Sequence, residues 1–168
     1  FITMDDLLED VPVDAARYFF IMRNTSSHLE FDLNLAKAQS MDNPVWYIQY
    51  AHARCCSIFR QAEAAGIPAS SWADPDIAQL AQASEAELVR KMAMFPDEVL
   101  SAAIERAPSR MARFALDFAG AFHSFYTECR VITDDPGLTA ARLALVDAAR
   151  TVLANSLNLM GVSAPERM

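Results

Sequence analysis

Apolar residues recur at intervals of three and four positions along most of this chain, which is the pattern of helices that bury one face. One such stripe covers residues 111–126, and another covers residues 138–160. The segments between the stripes are short and rich in proline, glycine or polar residues, which end helices and form turns. The fold class is therefore predicted to be all-α, with residues 44–168 forming an antiparallel helix bundle.

Local signals mark where several of these helices begin and end. Asn43 followed by Pro44 combines a residue that caps helix N-termini with one that suits the first helical turn. Gly66 is a typical terminator for the long helix that starts there, because glycine adopts the left-handed conformation at low cost. Ser84 with Glu87 three positions later fits a capping box and predicts another helix start.

The first 43 residues differ in character from the rest of the chain. They contain eight acidic and three basic residues, a net charge of −5, whereas residues 44–168 carry a net charge of −3. Between residues 29 and 35, leucine and phenylalanine alternate with polar residues, which fits a short strand, although a helix beginning at Leu33 fits as well. We therefore expect a short α/β connecting segment before the bundle, with residues 1–43 belonging to the tail of another domain.

Composition and charge bound the class of protein. With 168 residues, of which 53% are hydrophobic, the chain can bury one core and is unlike a disordered segment. No apolar run reaches ~18 residues and the chain does not start like a secretory signal, so no membrane partner is expected. Three cysteines without a disulfide or zinc spacing suit a reducing cytoplasm. A net charge of −8 argues against nucleic-acid binding through a broad basic patch.

Arrangements that carry catalysis are scarce. The glycines are isolated, so no phosphate-binding loop is visible. His28, His52 and His123 are far apart, and none has the spacing to another histidine or to cysteine that a metal site needs. Each histidine taken alone is more simply a hydrogen-bonded structural or surface residue. We expect no catalytic residue, no metal and no cofactor in this chain.

Aromatic and arginine side chains are concentrated in three places. Residues 43–62 contain several of both and no acid, residues 122–126 are mostly aromatic and precede Arg130, and Met168 ends the chain beside its free carboxylate. Flat rings and arginine donors are what unstacked nucleobases need for stacking and hydrogen bonding. The alternative is that the rings fill the core and the arginines cover it. Periodicity alone favours that alternative.

Three segments resemble signatures of the DALR-type anticodon-binding domain of arginyl-tRNA synthetases. They are residues 43–54 (NPVWYIQYAHAR), residues 122–131 (FHSFYTECRV) and residues 159–168 (LMGVSAPERM). Residues 1–8 (FITMDDLL) are similar to the segment after the K-M-S-K-S-type loop in bacterial members of the family. The resemblance covers essentially the whole chain in the order of the family.

The resemblance implies that this is the C-terminal part of a class I synthetase that charges tRNA with arginine, using ATP with Mg. Residues 1–43 would be the tail of the catalytic domain after the K-M-S-K-S-type loop, and residues 44–168 the helical anticodon-binding domain. The catalytic motifs would lie upstream of Phe1, so we expect this chain alone to be inactive as a ligase. It also implies a cytoplasmic monomer whose partner is the tRNA for arginine.

The resemblance also implies roles for individual residues. Tyr50, Tyr126 and Met168 match positions that line the anticodon pocket of the family. Arg54 and Arg130 are candidate donors to phosphate or base edges, and His52 is a candidate hydrogen-bond neighbour. We therefore expect the first three residues to share one accessible surface.

Two other functions remain open on the sequence. The chain could be the same type of bundle in another synthetase, such as the β subunit of glycyl-tRNA synthetase. It could instead be a helical module whose aromatic face binds a protein.

Overall fold

The computed structural model describes residues 3–24 and 31–168, and within these ranges all regular secondary structure is helical. The α-helices are α1 (Met4–Asp10), α2 (Val13–Ile21), α3 (Leu33–Lys37), α4 (Pro44–Ala64), α5 (Ala83–Ala93), α6 (Phe95–Glu105), α7 (Ser109–Glu128) and α8 (Pro136–Leu159). Two short 3-10 helices, Ala69–Trp72 and Ile77–Gln79, lie between α4 and α5. The all-α prediction is confirmed.

The predicted strand is wrong over the residues that the structure describes. Leu33–Lys37 form α3, because the side chain of Asp32 accepts a hydrogen bond from the backbone N–H of Leu35 at 3.0 Å and caps the helix. Alternation over so few residues does not separate a strand from a capped helical turn. Residues 25–30 lie outside the described ranges, so the rest of the strand prediction stays a prediction.

The long helix α4 begins and ends where its sequence signals predict. The side chain of Asn43 accepts the backbone N–H of Val45 at 3.2 Å and so caps the first turn. Gly66 has a φ of 74°, and the next residue, Ile67, donates its N–H to the carbonyl of Ala62 at 3.0 Å. This hydrogen bond closes the helix in a Schellman motif, which needs a left-handed residue at that position.

The predicted capping box at the start of α5 is wrong by two positions. The backbone N–H of Gln82 donates to Glu85 Oε2 at 2.8 Å, so Gln82 and Glu85 replace Ser84 and Glu87 as the capping pair. Glu85 is fixed at this place by a buried ion pair with Arg142 of α8. The ion pair joins residues that are far apart in sequence. Local capping signals therefore could not predict that the helix starts at this position.

Helix α7 is central to the core. Its phenylalanines Phe114, Phe118, Phe122 and Phe125 are buried, and it packs against α4, α5, α6 and α8. The short connection 129–135 makes α7 and α8 antiparallel neighbours. Close packing against α7 therefore fixes the positions of its neighbouring helices, and with them the positions of the side chains on their exposed faces.

Helices α4 and α7 run in the same direction along their contact. Tyr50 lies beside His123, and one turn further along both helices Arg54 lies beside Tyr126. The second pair lies one helical turn after the first in both helices, so successive turns of α4 contact successive turns of α7. This alignment brings aromatic and arginine side chains of the two helices onto one surface.

The N-terminal segment packs onto the bundle through α2. The hydroxyl of Tyr18 donates to the backbone carbonyl of Ala112 in α7 at 3.1 Å, and the ring is buried. Burial, assisted by the charge of Asp117, raises the pKa of Tyr18. Within the described ranges, no helix has both the length and the apolar character needed to cross a bilayer.

Candidate nucleic-acid interface

Arg54 of α4 lies between two tyrosine rings. Its guanidinium carbon is 5.1 Å from the ring centre of Tyr50 and 5.0 Å from that of Tyr126. Nη2 donates to the hydroxyl of Tyr50, and Nη1 donates to the hydroxyl of Tyr126 at 3.4 Å. These distances are those of cation–π contacts, which align the guanidinium without a carboxylate partner. We call Tyr50, Arg54 and Tyr126 the Arg54 cluster.

The Arg54 cluster keeps its positive charge. Partial burial lowers the pKa of Arg54, but the hydrogen bond to Tyr50 and the electrostatic contacts with both phenols outweigh this effect and raise it overall. A guanidinium has five N–H donors in a fixed plane, and the hydrogen bonds to the two tyrosine hydroxyls use two of them. Donors therefore remain for an acceptor that approaches the cluster.

His123 extends the row of rings along α7. Its ring lies 5.9 Å from that of Tyr50 at an interplanar angle of 23° and 4.4 Å from that of Tyr47. Burial holds the pKa of His123 below its ordinary 6.5; the backbone carbonyl of Tyr47 opposes this effect, and the charge of Arg54 adds to it. His123 is therefore neutral near pH 7 and packs as a ring rather than as a second cation.

A cavity of about 350 Å³ opens beside the Arg54 cluster. It is lined by Tyr50, Ala53, Arg54, Ser57, Arg60, Arg167 and Met168. We call it the terminal cavity, because the last two residues of the chain form part of its wall. Its lining contains three arginines and no acidic side chain, so the arginines outnumber the single terminal carboxylate of Met168, a residue that is 46% exposed. The cavity is therefore positively charged, although the whole chain carries a net charge of −8.

The C-terminal tail, residues 162–168, reaches this cavity through contacts with α4. Gln49 Nε2 donates to the carbonyl of Ser163 at 3.0 Å. The Nδ1 of His52 lies 2.9 Å from the carbonyl oxygen of Pro165 and so acts as the donor. Arg60 Nη1 donates to the carbonyl of Glu166 at 3.2 Å. Three side chains of one helix thus fix the backbone of the tail.

These contacts place the six predicted site residues in three environments. Tyr50, Arg54 and Met168 line the terminal cavity, and Tyr126 joins them through Arg54. His52 is buried against the tail and is absent from the lining of the cavity, so its role as a neighbour of a bound base stays a prediction.

Arg130 is absent from the lining of the terminal cavity and shares a different cavity with Tyr126. This second cavity has a volume of about 550 Å³, and its lining also includes Ile58, Gln61, residues 127–129 and residues 131–132. The backbone carbonyl of Arg130 accepts a hydrogen bond from Arg142 at 2.8 Å, while the residue itself is exposed. The structure therefore separates Arg130 from the terminal cavity.

Four neighbours of this surface are not among the predicted site residues: His123, Ser57, Arg60 and Arg167. His123 belongs to one of the three family signatures and Arg60 to the acid-free segment, so both carry a signal in the sequence. Arg167 comes close only because the tail folds back along α4. No spacing along the chain reports that approach.

The acidic, histidine and cysteine side chains do not gather into a metal site in the part of the chain that the structure describes. In those ranges no group of three or more of these side chains is close enough to hold a metal ion. The side chains that the surface does present can stack on a base, donate hydrogen bonds from arginine and make apolar contact through a thioether.

Comparison with known proteins places this surface in context. Residues 48–168 match the model of the family described as DALR anticodon binding domain. The chain is similar to the arginine–tRNA ligases of Symbiobacterium thermophilum, at 55% identity, and Heliobacterium modesticaldum, at 54%, over its full length. It spans about 30% of the length of the first and 31% of the second.

Two solved structures are similar to the whole or most of the chain. A Campylobacter jejuni structure described as an arginyl-tRNA synthetase has a TM-score of 0.88 at 28% identity, and the match covers all of this chain and 36% of that one. The Thermus thermophilus arginyl-tRNA synthetase has a TM-score of 0.79 at 32% identity, covering 92% of this chain and 26% of that one.

Proposed function

The chain belongs to the DALR anticodon-binding domain family, and from that premise we propose that it binds the anticodon stem-loop of the tRNA for arginine. The family match confirms the resemblance that the sequence signatures predict. The parent protein would be an arginine–tRNA ligase that couples arginine to tRNA with ATP and Mg. Relatives with that name, of which this chain spans about 30%, support the choice of amino acid.

We propose that the two parts of this chain belong to different domains of the parent protein. Residues 44–168 are the binding domain, and residues 1–43 are the tail of the catalytic domain, which packs onto the bundle through α2. The chain contains no H-I-G-H-type or K-M-S-K-S-type motif, so we assign ATP, Mg and catalysis to the rest of the parent. Its own role is to bind and orient RNA.

One observation carries the proposal: Arg54 lies between Tyr50 and Tyr126 at the edge of an arginine-lined cavity. A volume of about 350 Å³ lies at the small end of the ~300–1,000 Å³ usual for ligand pockets, which suits one flat base. The Tyr50 ring lines this cavity and the Tyr126 ring lines the second cavity beside Arg54, and a ring that stacks on a base contributes about 1–3 kcal/mol. The thioether of Met168 provides an adaptable apolar contact at the rim.

The charge distribution indicates how the RNA would be attracted. With a net charge of −8, most of the protein surface repels phosphate, so binding depends on a few arginines near the cavity. Each neutralised phosphate of a single-stranded loop contributes about −0.7 to the slope of log K against log salt. Three arginines therefore predict a slope of about −2, far shallower than that of a protein with a broad basic patch.

The test is the binding of a fluorescently labelled arginine anticodon stem-loop over a salt series, measured by anisotropy. We expect a salt slope of about −2 and weaker binding of a stem-loop with a different anticodon. Tyr126→Ala should weaken binding about tenfold or more through lost stacking, while Tyr126→Phe keeps most of the affinity. Phe20→Ala, which removes a partly exposed ring of α2 away from the cavity, serves as the matched control.

Two outcomes would favour the other functions. Equal binding of arginine and unrelated stem-loops would remove the assigned specificity, and preference for a glycine anticodon would favour the glycyl-type bundle. No RNA binding, with the fold intact by circular dichroism, would favour a module that binds protein through its aromatic face.

The setting of the chain in the cell is a further part of the proposal. We propose a cytoplasmic monomer, and the three cysteines, which are free and buried rather than cross-linked, support the cytoplasmic location. Light scattering after size exclusion, with and without the stem-loop, tests the monomer and the stoichiometry together.

A further inference from the structure

Asp14 of α2 joins the N-terminal segment to the C-terminal tail. Its Oδ2 accepts a hydrogen bond from Gln49 Nε2 at 2.9 Å and another from the backbone N–H of Ser163 at 3.2 Å. The hydroxyl of Ser163 donates to the same oxygen. One carboxylate oxygen therefore receives three hydrogen bonds from two segments that are far apart in sequence.

Gln49 makes this contact a bridge rather than a simple pair. The same Nε2 that donates to Asp14 also lies 3.0 Å from the carbonyl oxygen of Ser163, and the residue is buried. Charge-assisted hydrogen bonds of this kind are among the stronger ones in proteins. The Asp14 carboxylate thus fixes the side-chain orientation that Gln49 needs to hold the tail.

A second residue of α2 touches the same part of the chain. A Cβ atom added to Gly161 would lie 2.9 Å from Nη1 of Arg17, so this side chain packs closely over the glycine. Asp14 and Arg17 are one helical turn apart and lie on one face of α2. Helix α2 therefore contacts the chain at Gly161 and Ser163, just before the tail runs along α4.

Contacts between α4 and the tail continue from Ser163 to the terminal cavity. His52 and Arg60 hold the carbonyls of Pro165 and Glu166, and two residues later the chain ends at Met168 in the cavity wall. Residues 162–168 have no helix or strand of their own. Without side-chain contacts, ordering such a segment would cost conformational entropy at the moment of binding.

We propose that Asp14 is a positioning residue that, through Gln49 and Ser163, preorganises the tail and places Met168 in the terminal cavity. For its effect on RNA binding this inference rests on the proposed function, whereas its effect on the tail does not. Because Asp14 belongs to the segment assigned to the catalytic part of the parent, the contact links the placement of that segment to the anticodon surface.

The first test follows the tail directly in the chain without RNA. Methionine methyl groups labelled with carbon-13 report the position of Met168, assigned with Met168→Leu, and of Met111 in the core. In Asp14→Ala we expect the Met168 resonance to move toward its free-chain position, and exchange of the Ser163 amide to accelerate about tenfold or more. The Met111 resonance should stay unchanged.

Two further variants separate position from charge. Asp14→Asn keeps an oxygen that accepts hydrogen bonds, so it should restore most of the Met168 shift. Asp42→Ala removes an equal charge from an exposed residue of the same segment and should change neither probe. An unaltered Met168 resonance in Asp14→Ala, or an equal disturbance of Met111, overturns the proposal.

The second test connects the tail to binding. Asp14→Ala should weaken stem-loop binding about tenfold, but the same change in a Met168→Ala background should add less than about twofold. A merely structural role would instead give effects that multiply. Absence of stem-loop binding by the unaltered chain would defeat the proposed function, while the methyl resonances would still decide the role of Asp14.

Discussion

Two arginines in this protein have opposite surroundings. Arg142, in the contact between α5 and α8, has a side chain only 9% exposed, and its Nε lies 2.7 Å from Oε1 of the fully buried Glu85. Arg54, on the surface of α4 and α7, has no carboxylate partner among the described residues and lies between the rings of Tyr50 and Tyr126. One charge is neutralised inside the fold, and the other is held by neutral groups.

The difference separates stabilisation from binding. A buried guanidinium needs its carboxylate, because an unpaired charge in the interior is strongly unfavourable. A guanidinium held by phenol rings keeps its charge and its orientation for an external acceptor. Loss of a partner in the first region should therefore destabilise the fold, whereas changes in the second should leave the fold intact and weaken binding.

The largest expected effect breaks the buried pair. Glu85→Ala leaves Arg142 uncompensated and also removes the acceptor for the N–H of Gln82, so the free energy of unfolding should fall by about 3–5 kcal/mol. Urea denaturation followed by circular dichroism measures this loss. Glu87→Ala, which removes an exposed partner of Arg90 from the same helix, is the matched control and should change stability little.

The pair can also be replaced as a whole. If the unpaired charge of Arg142 causes the instability of Glu85→Ala, then Glu85→Leu combined with Arg142→Met should recover much of the lost free energy of unfolding. A double variant as unstable as Glu85→Ala would show that the shape of these residues matters more than their charge.

The next effect concerns Arg54. Arg54→Ala should weaken stem-loop binding by about 1.5–3 kcal/mol, the usual contribution of a charged hydrogen bond, with little loss of stability. Arg54→Lys keeps the charge but loses the planar donors, so it should recover only part of the affinity. Anisotropy and urea denaturation of the same variants provide both values. Arg90→Ala, an exposed arginine on α5, controls for the change in net charge.

A variant that loses stability and binding together at Arg54 would contradict the separation of the two regions. So would equal loss of binding in Arg90→Ala, because the effect would then depend on net charge rather than on position.

The sequence predicts the parts of this comparison that local chemistry controls. Asn43 and Gly66 set the ends of α4 in the expected places, since capping groups and left-handed glycine act within one turn. Tyr50 and Arg54 are four residues apart on that helix, so their shared face results from its period. Over the described residues, the strand predicted before α4 is wrong because the Asp32 cap favours a helical turn over the alternating pattern.

Contacts between distant segments could not be derived in this way. The register of α4 against α7, which brings Tyr126 to Arg54, depends on packing around the buried phenylalanines of α7. The start of α5 moves to Gln82 because Glu85 has a partner 57 residues away. The aromatic segment 122–126 and the terminal methionine stand out in the sequence, but only the resemblance to the family predicts that Tyr126 and Met168 share a surface, and the structure brings both to the neighbourhood of Arg54.

The smallest expected effect is the contribution of His123, beside the Arg54 cluster, to the pH dependence of stability. Burial holds the pKa of His123 below 6.5, so at lower pH the unfolded chain takes up a proton that the folded protein binds less readily. Stability should therefore fall as the pH drops below 6.5 and level off below the folded-state pKa. His123→Gln removes this contribution, and its free energy of unfolding should depend less on pH between about 7 and 5. An unchanged pH dependence would show that His123 is not the group responsible.

The central claim is that the Arg54 cluster binds RNA by stacking on a base, and a cycle of four affinities tests it most directly. The chain and its Tyr126→Ala variant are each titrated with the arginine anticodon stem-loop and with loops in which one anticodon base at a time is replaced by an abasic sugar. At one position we predict a coupling of about 1–3 kcal/mol, so that Tyr126→Ala costs affinity only when the base is present. Equal losses with and without the base at every anticodon position would contradict the claim.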